Sequence, residues 1–280
     1  MQAMKPTSAT FVIEELGAIE PGWSVEIGRP NGKQWVSGED LKDAGTDPFQ
    51  DVLQRLGGTL GTNDRRTIAA SFAMRFGWSA GTAIAASVIH GWVPDIRLEN
   101  ISLRFGGRNT MFERLALHRA QGTFFEGAEA KDESKDASRD ALLRVLRDTL
   151  FEQAAPVVEA LRLWSHFPPR ATWGMISSSW GAQCSNVFAR LGDQCSGAEL
   201  AKALFRGSDV IAETQPHFYP VTCNTVTRMY YRSSSCCRYY LLPNKQYCAQ
   251  CPLIEEDHRV RRNVEWLRKS LESQNHSPRT

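Results

Sequence analysis

From Arg65 onward the chain settles into a four-residue beat, with Ile68, Phe72, Phe76 and Ala80 recurring about one helical turn apart. That spacing lays an apolar stripe along a helix and predicts a helical stretch from Asp64 to Val93, closed by Pro94 and Asp95. The same period returns at Leu142, Leu146 and Leu150, inside the longest helix expected, Ala141 to Trp164. Pro156 should kink that helix or break it in two. "DPFQDVLQRLGG" reads as a short helix ended by glycine, and "GAELAKALF" (Gly197 to Phe205) as another. Near the C-terminus, Val260, Val264, Leu267 and Leu271 share one stripe, with acids at the start of the segment and bases after them, as the helix dipole favours.

Alternation of period two is rarer. "WSVEIGRPNGKQWVSG" reads as short strands around a Pro-Asn-Gly turn. "IRLENISLRFGGRNTMFERLALHR" gives two alternating runs about "GGRNT", a hairpin pattern. "AEAKDESKDASRD" (Ala128 to Asp140) is charged and poor in apolar residues, so it reads as a solvated connector. The pattern as a whole predicts an α+β fold, helix-dominated with a small antiparallel sheet and a cysteine-rich module at the C-terminal end.

Composition narrows the function classes. At 280 residues the chain can bury a full core without disulfide staples. A net charge of +2 gives no global pull toward nucleic acid, and none is expected as a partner. "SAGTAIAASVI" (Ser79 to Ile89) is too short to span a bilayer, which takes about 20 apolar residues. Membrane contact is therefore expected to be peripheral at most. The N-terminus lacks the basic and apolar runs of a secretory signal, so the expected compartment is the cytoplasm, where thiols stay reduced.

Seven cysteines then become informative, because four of them fall in sixteen residues with the spacing C-C-x10-C-x2-C: Cys236, Cys237, Cys248 and Cys251. A structural zinc site takes four thiolates, and Cys248-x2-Cys251 supplies half of one, but an adjacent pair chelates a single ion awkwardly. A redox disulfide at C-x2-C would need a thioredoxin-like surround that is missing here. A 2Fe–2S core takes four thiolates on two separate irons, so diverging side chains can be used, and the proline after the last cysteine also occurs in iron–sulfur runs. The spacing favours the cluster while leaving zinc and redox chemistry open. It divides the chain into a mixed helix/strand body, 1–225, and a module, 226–280, that carries the thiols and the last helix.

"SSSCCRYYLLPNKQYCAQCPL" resembles the C-terminal signature of the FhuF-type ferric-siderophore reductases, matching its C-C-x10-C-x2-C spacing without a gap. The resemblance reaches more weakly into "WVPDIRLENISLRF" and "VVEALRLWSHFPPRATWGMISSSWGAQ", so it covers roughly residues 65 to 255. It implies a 2Fe–2S cluster on Cys236, Cys237, Cys248 and Cys251, with no catalytic residue beyond these ligands. It further implies one-electron reduction of a ferric siderophore, hydroxamate type favoured, and release of ferrous iron to the cell. Body 1–225 would bind the siderophore. No nicotinamide or flavin fingerprint is visible, so the electrons are expected from an external donor such as a ferredoxin or a flavoprotein. Two other classes compete: an iron–sulfur sensor or iron-binding accessory without turnover, and a protein with a structural zinc site.

The remaining candidates have plainer readings. Cys184, Cys195 and Cys223 read as small buried hydrophobes. Trp164, Trp173 and Trp180 could line a siderophore pocket but are more often core. Amides near Ser235 and Ala249 are candidate donors to the sulfurs, and Tyr239, Tyr240, Leu241 and Leu242 are expected to cover the cluster. Between Arg228 and Ser270 nine bases face four acids, either an ordinary solvated helix surface or a docking face for an anionic partner.

Overall fold

Helix α6 (Pro169–Arg190) is the beam on which the other elements are laid, and its sequence carries no amphipathic stripe. Thr172 to Ser185 are buried almost without interruption, because other elements cover the helix on several sides. A helix buried all round has no polar face to reveal its period. Several of its serines bond to backbone: Ser178 Oγ donates to the Gly174 carbonyl at 2.7 Å and Ser179 Oγ to the Met74 carbonyl at 2.8 Å, while Ser185 Oγ is buried without a partner among the described residues. The computed structural model describes residues 8–106, 111–126, 136–207, 210 and 213–276.

Around α6 lie α3 (Arg65–Gly77), α5 (Asp136–Ser165) and α7 (Gln194–Phe205). The α3 and α6 backbones approach so closely that a Cβ on Gly77 would come within 2.7 Å of Ser179 Cβ. The expected stripe of Ile68, Phe72, Phe76 and Ala80 is buried, with Phe72 stacked among Phe49, Phe76 and Phe105. Helices α1 (Ala9–Ile19), α2 (Asp47–Leu60) and α4 (Gly81–His90) complete this part of the core.

The sheets are small. β1 (Val25–Ile27), β2 (Trp35–Ser37), β4 (Ile101–Phe105) and β5 (Phe112–Leu117) form one sheet in the order β1-β5-β4-β2. β3 (Trp92–Pro94) pairs with β6 (Gly122–Phe124), and β7 (His217–Cys223) with β8 (Val226–Arg232). All pairings are antiparallel except β1 with β5. The fold is thus α+β and helix-dominated, with small, mostly antiparallel sheets and a cysteine-rich C-terminal region.

Several elements differ from expectation. The stretch Asp64 to Val93 is not one helix: α3 gives way to a 3₁₀ turn at Trp78–Ala80, then α4, then β3, with Gly91 in the left-handed region (φ 63°) ending α4. The strands flanking Pro-Asn-Gly do not pair with each other. β1 pairs with β5 and β2 with β4, so they form opposite edges of one sheet. The hairpin of "GGRNT" is present as β4 and β5, with residues 107–110 outside the described ones. Helix α5 begins at Asp136, inside the expected connector, and runs through Pro156 unbroken. Residues 128–135 of that connector lie outside the described residues.

The last helix, α8 (Glu256–His276), lies against β7. Leu267, with Val264 and Leu271 beside it, packs on Val221 and Cys223 in a small apolar cluster separate from the main core. The boundary expected after residue 225 falls in the turn of the β7–β8 hairpin.

Candidate metal centre

The four closely spaced cysteines follow β8 in a loop that uses very little regular structure: one 3₁₀ turn, Tyr239–Leu241. The loop rests directly on α6. A Cβ on Gly174 would meet Ser235 Oγ at 2.1 Å and Ser235 Cβ at 2.7 Å, so only glycine lets the loop lie this close. Ser234 Oγ donates to the Thr214 carbonyl, and Ser233 N–H to Gln250 O at 3.0 Å, which ties the two cysteine segments together.

Arg238, the residue after the Cys-Cys pair, turns the chain through the left-handed region (φ 59°). For a residue with a Cβ this conformation costs about 1–2 kcal/mol, so it needs support from its surroundings. Helix α3 supplies it. Arg238 Nε donates to Thr67 Oγ1 at 3.1 Å and its Nη2 pairs with Asp64 Oδ2 at 3.0 Å. Asp64 is itself the N-cap of α3, accepting from the Arg66 and Thr67 amides. Burial raises the Asp64 pKa, but the Thr67 hydroxyl and Arg238 outweigh it and hold the carboxyl below its ordinary range.

The turn brings amides back onto sulfur. Arg238 N–H donates to Cys236 Sγ at 3.4 Å and Leu253 N–H to Cys251 Sγ at 3.5 Å. The Tyr239 amide points to Cys237 and the Gln250 amide to Cys248. Each of the four sulfurs therefore meets a backbone donor two residues ahead; of these the Gln250 amide adjoins Ala249, as expected, while none comes from Ser235. Such donors stabilise negative charge on sulfur.

The thiols stand two and two. Cys237 Sγ lies 3.8 Å from Cys248 Sγ, and the Cys236 and Cys251 thiols act on one another. A separation near 3.8 Å is the edge of a tetrahedron with metal–sulfur bonds of about 2.3 Å. Among the described residues no three His, Cys, Asp or Glu side chains converge where one lone ion would sit. Two thiol pairs, each able to ligate one iron of a two-iron core, fit this donor set better than a single zinc ion.

Within the metal-free protein these pairs are uneven. The hydrogen bond from Cys248, helped by the Tyr239 amide and the Arg75 charge against the effect of burial, draws Cys237 down to about 6. The same hydrogen bond pushes Cys248 up, and burial pushes Cys236 up to about 11. Cluster binding must displace these protons, since thiolate is the ligand form.

A second clamp comes from α8. Arg259 is buried, and its Nη1 donates to the carbonyls of Cys251 (3.2 Å) and Ile254 (3.1 Å) while its guanidinium lies 5.8 Å above the Tyr219 ring. Arg262 holds the Tyr247 carbonyl at 3.0 Å. The Cys-x2-Cys turn is thus fastened at its backbone by a helix whose own apolar stripe is seated on β7.

Residues 234–253 match the sequence profile of the FhuF 2Fe-2S C-terminal domain, and all four clustered cysteines lie inside the match. Across this segment the chain is similar to that domain. Such a domain carries a 2Fe–2S cluster, and the paired thiols with their amide donors fit that group. The match spans residues 234–253. A sequence comparison with curated proteins finds no match.

The other candidates fall elsewhere. Trp173 and Trp180 are buried and stack with Phe151, so they are core, while Trp164 is half-buried under the Arg65 guanidinium. Cys184 and Cys223 are buried as expected, but Cys195 is exposed at the start of α7, correcting that expectation. Of the residues expected to cover the cluster, only Leu242 is buried. Tyr239 and Leu241 face solvent, and Tyr240 stacks on Tyr247 at 4.6 Å. The loop is too short to fold four large side chains inward while also presenting four amides to sulfur. The sequence reading missed Arg75, Asp64, Arg238 and Arg259. No sequence signal marks them, since the left-handed turn at Arg238 is seen only in the structure.

A cleft of about 1000 Å³ lies away from the four clustered cysteines, with Cys195 in its lining. It is lined by Trp23, Trp78, Gln183, Asn186, Arg190 and Arg228. Gly174 and Gln183 are nine residues apart on α6, roughly 14 Å at the helical rise. No helix in the described residues is long and apolar enough to cross a membrane.

Proposed function

We propose that the protein reduces ferric siderophores by one electron, with Cys236, Cys237, Cys248 and Cys251 as the ligands of its cluster. The pairing of these four thiols inside a FhuF 2Fe-2S domain carries this reading. A bound 2Fe–2S group supplies a store for single electrons, at a potential set by ligation, hydrogen bonds to sulfur and burial.

The chain's own residues set that environment. Cys251 is 1 % exposed, whereas Cys236, Cys237 and Cys248 are half-buried, so the site is sheltered at one corner and approachable at the others. The amides of Arg238, Tyr239, Gln250 and Leu253 favour added negative charge. The substrate side follows from hard-ligand chemistry. Hydroxamate or catecholate oxygens grip the small ferric ion far better than the ferrous ion. One electron transferred to the chelate therefore weakens it, and ferrous iron leaves. No proton need be moved by a side chain.

In this reading residues 1–225 form the body that receives the siderophore and residues 226–280 the electron-transfer module. The electron arrives from an external donor such as a ferredoxin or flavoprotein. The exposed Tyr239, Leu241, Tyr247 and Leu253 around the cysteine loop, with Lys245 over the Tyr239 ring, offer the approach. The test is to reduce the protein without oxygen and mix it with a ferric hydroxamate complex. Reoxidation of the cluster with capture of ferrous iron by a chelator is expected. A colourless protein without acid-labile sulfide would return the site to zinc, and a red-brown protein that stays reduced would make it a sensor.

A further inference from the structure

Arg75 is a buried cation whose hydrogen bonds are incomplete among the described residues. It sits in the last turn of α3, buried to 8 % exposure, and among the described groups no carboxylate acts on it. Its Nη1 donates to the carbonyl (3.1 Å) and hydroxyl of Ser71. Its Nε is buried with no hydrogen-bond partner. A guanidinium offers five donors, and leaving a buried one unpaired is costly.

The position of Arg75 on the helix shows what it faces. Asp64, Thr67, Ser71 and Arg75 are spaced three or four residues apart and so lie along one face of α3. The first two hold Arg238, the residue after Cys237. Two turns further along the same face, the Arg75 charge acts on the Cys237 sulfur. Cys237 in turn packs against the main core from the loop side.

We propose that Arg75 is a positioning residue whose missing counter-charge is the iron–sulfur cluster itself, and that its cation raises the cluster's reduction potential. A 2Fe–2S core on four thiolates carries roughly two negative charges when oxidised and three when reduced. A fixed cation in a water-poor site stabilises both forms, and the reduced form more. Arg75 thereby makes the cluster easier to reduce by its donor, and it satisfies its own buried donors on the sulfur side. This inference rests on the assignment of the four cysteines and not on turnover of any siderophore.

The test compares R75M and R75K with the wild-type holoprotein by spectroelectrochemical titration, after iron and sulfide analysis of each. R75M should lose at least tenfold in the equilibrium constant for reduction, a fall of about 59 mV for one electron. R75K, which keeps the charge, should recover most of that loss. R75M that fails to fold or to hold its cluster while R75K loads fully would also support the proposal. An unchanged midpoint in loaded R75M, an equal shift in both variants, or loss of the cluster in both alike would overturn it. Failure of the underlying assignment shows separately, as a C237A protein that keeps its full iron and sulfide.

Discussion

The helical body and the cysteine loop are held together by opposite means. In the body, α3 and α6 bury Phe72, Phe76, Ile176 and Trp180 at or below 1 % exposure, and stability comes from packed apolar surface. From residue 233 to residue 253 only Leu242 and Cys251 are buried among the described side chains, and the chain is held by polar ties to its neighbours. Those ties are Asp64 and Thr67 to Arg238, Thr214 to Ser234, and Arg259 to the Cys251 and Ile254 carbonyls. A body packed this way needs no metal to keep its shape. The loop has too little apolar burial to do likewise, so its shape depends on the scaffold around it and on the group its thiols hold.

The sharpest break of this comparison is C237A. It removes one thiol of the 3.8 Å pair and should abolish cluster retention, seen as loss of iron and labile sulfide, while the cooperative thermal unfolding of the body persists. The converse is F72A. Phe72 is fully buried in the aromatic cluster, so truncation should cost about 3–5 kcal/mol in urea unfolding, the usual range for core Phe to Ala. In native buffer that variant should still bind its full complement of iron.

Between the two regions stands Gly174, where the loop touches α6. G174A should cost about 1–3 kcal/mol through overpacking and should also lower cluster content, because the new methyl displaces Ser235. The smallest effect expected is that of D64A, about 1 kcal/mol from the lost N-cap, with faster cluster loss to a chelator as Arg238 is released. The folded pKa of Asp64 is depressed, so its contribution is present above the unfolded carboxyl value near 3.9 and fades as pH falls through the lower folded value. In D64A that acid-dependent part of the unfolding curve should be missing.

The same contrast explains what could be read in advance. The four thiols were legible as a candidate metal site because C-C-x10-C-x2-C is local in the sequence, and the match at residues 234–253 falls on it. The stripe at Leu142, Leu146 and Leu150 was legible because α5 buries one face more than the other, and that at Ile68, Phe72 and Phe76 because large apolar side chains recur at helical spacing in a helix buried almost throughout. Helix α6 was silent to periodicity, since "GMISSSWGAQCS" is buried on every side, with Ser177, Ser178 and Ser179 bonding within the helix or to adjoining backbone. The pairing of β1 with β5 could not be seen at all, because it joins residues about ninety apart with no turn between them. Arg75, Asp64 and Arg259 read as ordinary helix charges, and only the fold places them against the cysteine loop.

The most direct test of the central claim is anaerobic. The dithionite-reduced protein, freed of excess reductant, is mixed with a ferric hydroxamate complex while the cluster spectrum and a ferrous-specific chelator are followed together. The account predicts that the spectrum returns to the oxidised form with one ferrous ion captured for each cluster reoxidised. A cluster that stays reduced beside an intact ferric complex would contradict it.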